Sequence, residues 1–165
     1  MSKPIQTITE KLLIRRNNLP HWQFGGSTYF ITFRSFRGNL SDDCLRQVMT
    51  NILFDHGRRM DLHFGVIMPD HVHLILQPRQ ILPNQWHDLS RIMQGIKGTS
   101  SRRINELMHT AGTVWQPESF DRIIRDESEY LEKLNYMWLN PVKSQLVDDP
   151  AKYPYFLNPM NVISI

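Results

Sequence analysis

The tripeptide His71-Val72-His73 is the part of the sequence best suited to chemistry. It begins a stretch, residues 71–77, whose apolar and β-branched residues predict a strand. Because side chains alternate between the two faces of a strand, both imidazoles project from one face, about 6–7 Å apart at the backbone. Two imidazoles placed in this way could bind one divalent cation. They could equally be two polar residues on the solvent-facing side of a sheet.

Tyr136 and Asn140 form a second pair, four residues apart in a segment that predicts a helix over 127–140. Residues with this spacing share one helix face, so the phenol and the amide oxygen point to the same side. The alternative is a tyrosine at the edge of the core and an asparagine that ends the helix before Pro141. Tyr130, six residues before Tyr136, is a competing tyrosine on a different helix face.

Together the two pairs suggest one type of reaction. Two imidazole nitrogens and an amide oxygen could hold a cation, which offsets the charge that builds up on a phosphodiester under attack. A tyrosine beside it, with a free pKa near 10, is a candidate nucleophile toward phosphorus. A covalent phosphotyrosine would retain the energy of the broken bond, so strands could be rejoined without ATP.

Hydrophobic periodicity predicts the elements that must position these residues. The strands are expected at 27–36, 62–68, 71–77 and 120–124, and the helices at 41–56, 89–109 and 127–140. This βαββαβ order predicts an α+β, ferredoxin-like (split βαβ) fold. It has a four-stranded antiparallel sheet with helices on one face, followed by a C-terminal helix that carries Tyr136. We expect a single domain over 1–165, with a basic N-terminal arm (1–26) and a C-terminal tail (144–165).

Composition excludes several classes of protein. The 165 residues contain no apolar run close to the roughly 20 residues that a membrane helix needs, so no membrane association is expected. The single cysteine, Cys44, can form neither an internal disulfide nor a cysteine-based zinc site. The first residues lack the pattern of a secretory signal. A cytoplasmic protein is therefore expected.

Basic residues are concentrated in two stretches without acids, 11–40 and 91–103, although 19 Lys and Arg against 16 Asp and Glu give a net charge of only +3. Such stretches could bind a nucleic-acid backbone, or they could be ordinary solvated surface. An aromatic residue beside them could stack on unpaired bases. The candidate DNA-binding residues are Arg15, Arg16, Trp22, Arg34, Lys97, Arg102 and Arg103.

The sequence resembles the REP-associated tyrosine transposases, a branch of the HUH single-tyrosine transposases with an IS200-like transposase domain. The resemblance spans about residues 15–156. It is carried by the segments RRNNLPHWQFGGSTYFITFR, VIMPDHVHLIL, MQGIKGTSSRRIN, VWQPESFDRIIRDESEYLEKLNYMWLNPVKSQLV and DDPAKYPYF. The segment Glu118-Ser119-Phe120 departs from the aromatic pair that the family often carries after Trp-Gln.

This resemblance implies roles for individual residues. His71 and His73 match the metal-binding pair and Tyr136 matches the nucleophile. Asn140 matches the third metal ligand. The implied cofactor is Mg²⁺ or Mn²⁺. The implied partner is single-stranded DNA with hairpins, such as the repeated extragenic palindromes of bacterial genomes. Cleavage would leave a 5′-phosphotyrosine and a free 3′-OH.

Other properties stay open at the level of the sequence. The protein could be a monomer or a homodimer, and we expect it on the nucleoid. One alternative function is a non-catalytic hairpin-binding protein, a domesticated or decayed transposase. Intact His71, His73, Tyr136 and Asn140 argue against decay. The other is a metal-dependent phosphodiesterase that uses water as nucleophile. Asp70 could orient an imidazole, or simply be a turn residue after Pro69.

Overall fold

The computed structural model describes residues 13–14 and 26–164. Nine strands are present in these residues. They are β1 (Leu13–Ile14), β2 (Tyr29–Ser35), β3 (Met60–Ile67), β4 (His71–Pro78), β5 (Gln80–Leu82), β6 (Gln85–Trp86), β7 (Trp115–Ile123), β8 (Phe156–Leu157) and β9 (Ile163–Ser164). Five of them form one antiparallel sheet in the order β7-β2-β4-β3-β8. The α+β class and the antiparallel sheet predicted from the sequence are therefore confirmed.

Strand β4 lies at the centre of this sheet and separates two different surfaces. Val72, Leu74 and Leu76 are fully buried on one face, as the alternation of the sequence predicts. The intervening residues His71 and His73 lie on the other face, with their imidazole rings 4.7 Å apart between centroids. One face of the sheet is thus purely apolar at β4, and the other carries the two histidines.

Within the described residues, three α-helices cover the two faces of the sheet: α1 (Asp42–Asp55), α2 (Leu89–Met108) and α3 (Glu127–Lys143). Helices α1 and α2 pack against each other on the Val72 face. There Trp115 contacts Phe33, and its indole N–H donates to the Ser100 hydroxyl of α2 at 2.8 Å. No helix among the described residues is both long enough and apolar enough to cross a membrane.

Helix α3 lies on the opposite face, against the histidines. The Asp126 side chain caps its first turn by accepting a hydrogen bond from the Glu129 N–H at 2.8 Å. The Tyr136 ring packs against His73, and the Trp138 ring stacks on Phe156 of β8 at 5.0 Å between centroids. These contacts fix the orientation of α3 across the histidine face.

The predicted end of this helix at Pro141 is wrong. Pro141 has no N–H to donate to the preceding turn, and an isolated helix would often end before it. Here Pro141 is buried, and the next turn is closed by the Ser144 N–H, which donates to the Asn140 carbonyl at 3.0 Å. Packing of the buried helix face therefore outweighs the local preference, and α3 continues to Lys143.

The predicted four-stranded sheet is also corrected, because β8 from the predicted tail adds a fifth strand beside β3. The pairing is close at Gly65, where an added Cβ would lie 3.2 Å from the Leu157 Cβ. The Tyr153 hydroxyl holds the same segment by donating to the Ile67 carbonyl at 2.6 Å. The tail therefore completes the sheet, although it is rich in Pro, Asp and Asn.

Two smaller corrections concern the neighbouring loops. Strand β7 begins at Trp115, five residues before the predicted strand at 120–124. The predicted loop after Gln77 contains the short hairpin of β5 and β6. Short strands of this kind carry too few residues for a period-two pattern to show in the sequence. Of the predicted arm, residues 1–12 and 15–25 lie outside the described residues.

Candidate active site

The two histidines of β4 each have one ring nitrogen fixed by a neighbour. The Nδ1 atom of His71 donates to the Asp70 carboxylate at 2.6 Å. The Nδ1 atom of His73 lies 2.7 Å from the hydroxyl oxygen of Thr32, its cross-strand partner on β2. Both bonds leave Nε2 of the same ring available to bind something else. The interpretation of Asp70 as a residue that orients an imidazole is thus supported by a direct contact.

His73 is deeply buried, with 3% of its surface exposed. Its Nε2 atom is buried without a hydrogen-bond partner among the described residues. Burial lowers the pKa of His73 to about 3, and the neighbouring charges of His71 and Arg34 act in the same direction. The imidazole is therefore neutral near pH 7, which is the form that can bind a metal ion.

Tyr136 projects from α3 onto this pair of histidines. Its ring centroid lies 5.2 Å from that of His73 and 6.2 Å from that of Phe30. The residue keeps 40% of its surface exposed, so it is accessible from the solvent. The opposite side of the helix is buried through Leu134 and Met137, which explains why α3 presents Tyr136 in this position.

Asn140 follows Tyr136 by one helical turn and is buried. Because α3 continues through Pro141, the four-residue spacing keeps its helical geometry, and the predicted shared face of the pair is retained. The described residues contain no group of three His, Cys, Asp or Glu side chains that could hold a metal ion. A third ligand from these residues would be an oxygen of another kind, and the Asn140 amide oxygen is the candidate that the sequence predicts.

Two further residues of the site are absent from the sequence-based prediction. Lys143 places its ammonium nitrogen 5.7 Å from the centroid of the Tyr136 ring. The sequence contains a signal for this position, because Lys143 follows Tyr136 by seven residues. Seven residues correspond to about two helical turns, so the two side chains lie on the same helix face. Thr32, which contacts His73, gave no such signal, because the pairing register of β2 and β4 is not visible in either strand alone.

The competing tyrosine, Tyr130, occupies a different environment. It is fully buried, and its hydroxyl lies 2.9 Å from Nδ1 of His63. Burial raises the pKa of Tyr130 far above that of an exposed tyrosine. The structure thus separates a buried Tyr130 beside His63 from an exposed Tyr136 beside His71 and His73.

Only one of the predicted DNA-binding residues within the described part of the chain lies beside the histidines. Arg34 is exposed on β2, directly opposite His71 in the sheet. Lys97 instead donates to the Gln116 and Pro117 carbonyls and the Ser119 hydroxyl, and burial lowers its pKa. Its ammonium therefore ties α2 to β7.

The remaining candidates lie elsewhere. Arg102 and Arg103 are exposed on α2, on the opposite side of the sheet from the histidines, and Arg103 pairs with Glu106 at 3.0 Å. Arg15, Arg16 and Trp22 lie outside the described residues. A groove of about 770 Å³ between α2 and β7 is also on the far side of the sheet, and its lining includes none of His71, His73 or Tyr136.

Comparison with known proteins places the histidine strand within a recognised family. The family model described as "Transposase IS200 like" matches residues 33–131, which is more than half of the chain. The chain belongs to the IS200-like transposase family. The match contains His71 and His73 and ends five residues before Tyr136.

The chain is also similar to individual proteins. The chain is 27% identical over 137 residues to a REP-associated tyrosine transposase of Escherichia coli K12, covering 79% of this chain and 75% of the relative. A relative from Haemophilus influenzae is 26% identical over 98 residues, or 54% of this chain and 53% of the relative. A solved REP-associated tyrosine transposase bound to a REP hairpin superposes with a TM-score of 0.63 at 22% identity. That superposition covers 84% of this chain and 80% of the solved chain, and it indicates a shared fold.

Proposed function

We propose that this IS200-like transposase is a metal-dependent, site-specific single-stranded DNA endonuclease and strand transferase that acts at hairpins such as repeated extragenic palindromes. The observation that carries the proposal is the exposed Tyr136 packed against the buried His73, whose Nε2 has no hydrogen-bond partner among the described residues. The similarity to REP-associated tyrosine transposases, one of them solved with a REP hairpin, supports the choice of substrate. Such a role would place the protein on the bacterial nucleoid.

The donor set suits a divalent cation. Nδ1–H of His71 donates to the Asp70 carboxylate, which favours the tautomer with a free Nε2. The Thr32 hydroxyl is able to accept from Nδ1–H of His73, and in that tautomer Nε2 of His73 is also free to bind an ion. These two nitrogens and the Asn140 amide oxygen would hold Mg²⁺ or Mn²⁺. When bound, the ion would polarise the scissile phosphate and offset the negative charge that develops on its oxygens. The neutral imidazole of His73, whose Nε2 has no hydrogen-bond partner in the part of the chain that the structure describes, is the structural feature that fits this role.

In the proposed reaction the Tyr136 oxygen attacks the phosphorus atom of the scissile phosphodiester. A bond forms between this oxygen and phosphorus, and the bond from phosphorus to the 3′ oxygen breaks. The phenol proton passes to water at the exposed hydroxyl, and the departing 3′ oxygen takes up a proton to become a free 3′-OH. The product is a 5′-phosphotyrosine, which a second 3′-OH can attack to rejoin strands.

Two basic residues can assist this reaction by holding phosphate oxygens. The Lys143 ammonium beside the Tyr136 ring would stabilise negative charge near the attacking oxygen. Arg34 lies opposite His71 and is exposed, so its guanidinium can bind a backbone phosphate on the β2 side of the site. Both act by position and charge and transfer no atoms.

Labelled single-stranded DNA carrying a hairpin from the flanks of the gene tests the proposal. With Mn²⁺ or Mg²⁺ present, we expect label that migrates with the denatured protein. Tyr136→Phe should abolish this band while hairpin binding persists, and Tyr130→Phe should retain it. DNA fragments without a protein band in Tyr136→Phe would instead support water as nucleophile. Binding without cleavage in the unaltered protein would support a non-catalytic hairpin-binding role.

A further inference from the structure

An exposed aromatic side chain lies on the histidine face of the sheet and has no part in the site described above. Phe120 of β7 has 58% of its surface exposed. It pairs directly with Thr32 of β2, and Thr32 pairs in turn with His73 of β4. Directly paired residues of antiparallel strands project to the same face. Phe120, Thr32 and His73 therefore form one row across the same face of the sheet.

The spacing of the sheet sets the distance along this row. Neighbouring strands lie about 4.8 Å apart, so the backbone of Phe120 is about 10 Å from that of His73. The phenol of Tyr136 lies above the same row, since its ring contacts His73. A single strand of DNA with its scissile phosphate at Tyr136 would therefore pass near Phe120 if it left the site toward β7.

The charges around Phe120 fit a nucleic-acid strand better than an apolar partner. Arg34 lies on the neighbouring strand, and none of the ion pairs among the described residues includes it. Arg122, two residues along β7, is held by Glu129 at 2.6 Å. Lys133 lies 5.4 Å from the ring centroid of Phe30. Glu118 and Glu129 are acids that adjoin this row, and Lys133 is paired with Glu132 at 3.2 Å. Arg34 is thus the base of this row whose charge is left for a phosphate.

We propose that Phe120 is a platform on which an unpaired base of the single-stranded substrate stacks, next to the phosphate that Tyr136 attacks. This inference rests on the proposed function, because it assumes that single-stranded DNA lies on the histidine face. It assigns a positioning role to a residue of β7, beyond the histidines and α3. The aromatic ring would hold the strand in line with the site without reading its sequence, because every base offers a face for stacking.

Phe54 provides a matched control on the same molecule. It is a phenylalanine of similar exposure, 63%, but it belongs to α1, which packs on the opposite face of the sheet. The Arg58 guanidinium lies 4.3 Å from the centroid of its ring. Loss of Phe54 removes as much exposed aromatic surface as loss of Phe120, without touching the histidine face.

Binding of fluorescent single-stranded oligonucleotides to the full-length protein tests the inference. The DNA carries a hairpin from the flanks of the gene, metal is omitted to prevent cleavage, and one abasic site is moved along the single-stranded part. Phe120→Ala should weaken binding about 5- to 150-fold. Phe120→Trp should bind like the parent, and Phe54→Ala should be unchanged. One abasic position should weaken the parent by a similar factor and have no further effect on Phe120→Ala.

Several outcomes would overturn the inference. The first is a DNA affinity of Phe120→Ala within twofold of that of the parent. The second is an equal loss of DNA affinity in Phe120→Ala and Phe54→Ala. The third is the absence of DNA binding by the parent. Sedimentation velocity measures whether Phe120→Ala dissociates a dimer of the chain. If it does so and leaves the DNA affinity unchanged, Phe120 is a contact between two copies of the chain and the inference is wrong. Thermal unfolding of each variant shows whether it is folded.

The same variants separate this inference from the proposed function. If Phe120→Ala binds normally while Tyr136→Phe loses the covalent band, the stacking platform is wrong and the proposed chemistry stands. If Phe120→Ala binds weakly while Tyr136→Phe still cleaves, the platform stands and the tyrosine mechanism fails.

Discussion

Replacing Thr32 by valine tests how the sheet orients the buried histidine. Valine has nearly the shape of threonine and suits a strand, but it lacks the hydroxyl that lies 2.7 Å from Nδ1 of His73. Because His73 is 3% exposed, water cannot easily replace this partner. A buried donor left without a partner costs about 1–3 kcal/mol. That cost falls on the tautomer with a free Nε2, which is the tautomer able to bind a metal ion.

The expected loss can be expressed in the quantity measured. Partners of metal-binding histidines typically contribute about 10- to 100-fold to metal affinity or activity. We therefore expect Thr32→Val to need about 10 to 100 times more Mn²⁺ for half-maximal formation of the covalent DNA product. Thr28→Val is the control, because Thr28 is also buried and lies just before the same strand. A half-saturating Mn²⁺ concentration within twofold of the parent would refute the orienting role of Thr32.

Two further predictions concern charge and pH. Lys143→Ala should slow formation of the covalent product at least about tenfold, because it removes the ammonium beside Tyr136. Lys143→Arg keeps a positive charge there and should retain most of the rate. Equal rates in Lys143→Ala and the parent would exclude a role of Lys143 in stabilising the charge near the attacking oxygen. Burial lowers the pKa of His63 to about 4, with Asp61 opposing and His56 adding to the shift, so the unfolded chain takes up the proton first as pH falls. The free energy of unfolding in urea should thus decrease between about pH 6.5 and 4, by at most about 3 kcal/mol from this residue. In His63→Asn the free energy of unfolding should decrease less over this pH range. A decrease equal to that of the parent would show that His63 is not its cause.

Periodic patterns in the sequence predicted the parts of the molecule that depend on backbone geometry alone. The alternation of β4 correctly separated Val72 and Leu74 from the two histidines, because a strand has a fixed period of two. The helical period likewise correctly predicted the shared face of Tyr136 and Asn140. Each of these predictions uses only neighbours along the chain.

Features that depend on contacts between distant segments could not be predicted in this way. Helix α3 passes through Pro141 because the helix is packed against the sheet, and a local rule does not contain that packing. The role of Thr32 depends on the register between two strands that are 41 residues apart in sequence at the contact with His73. Lys97 looked like a DNA-binding residue by composition, whereas its three acceptors lie on β7 and can be recognised only in the fold.

Peptide mass spectrometry of the covalent product tests the central claim most directly. The protein is incubated with Mn²⁺ and the hairpin oligonucleotide, the product is digested with protease and nuclease, and the modified peptide is sequenced. The account predicts a nucleotide 5′-phosphate linked to Tyr136 and to no other tyrosine. A nucleotide on Tyr130 or another residue, or cleaved DNA with no modified peptide when turnover is stopped early, would contradict it.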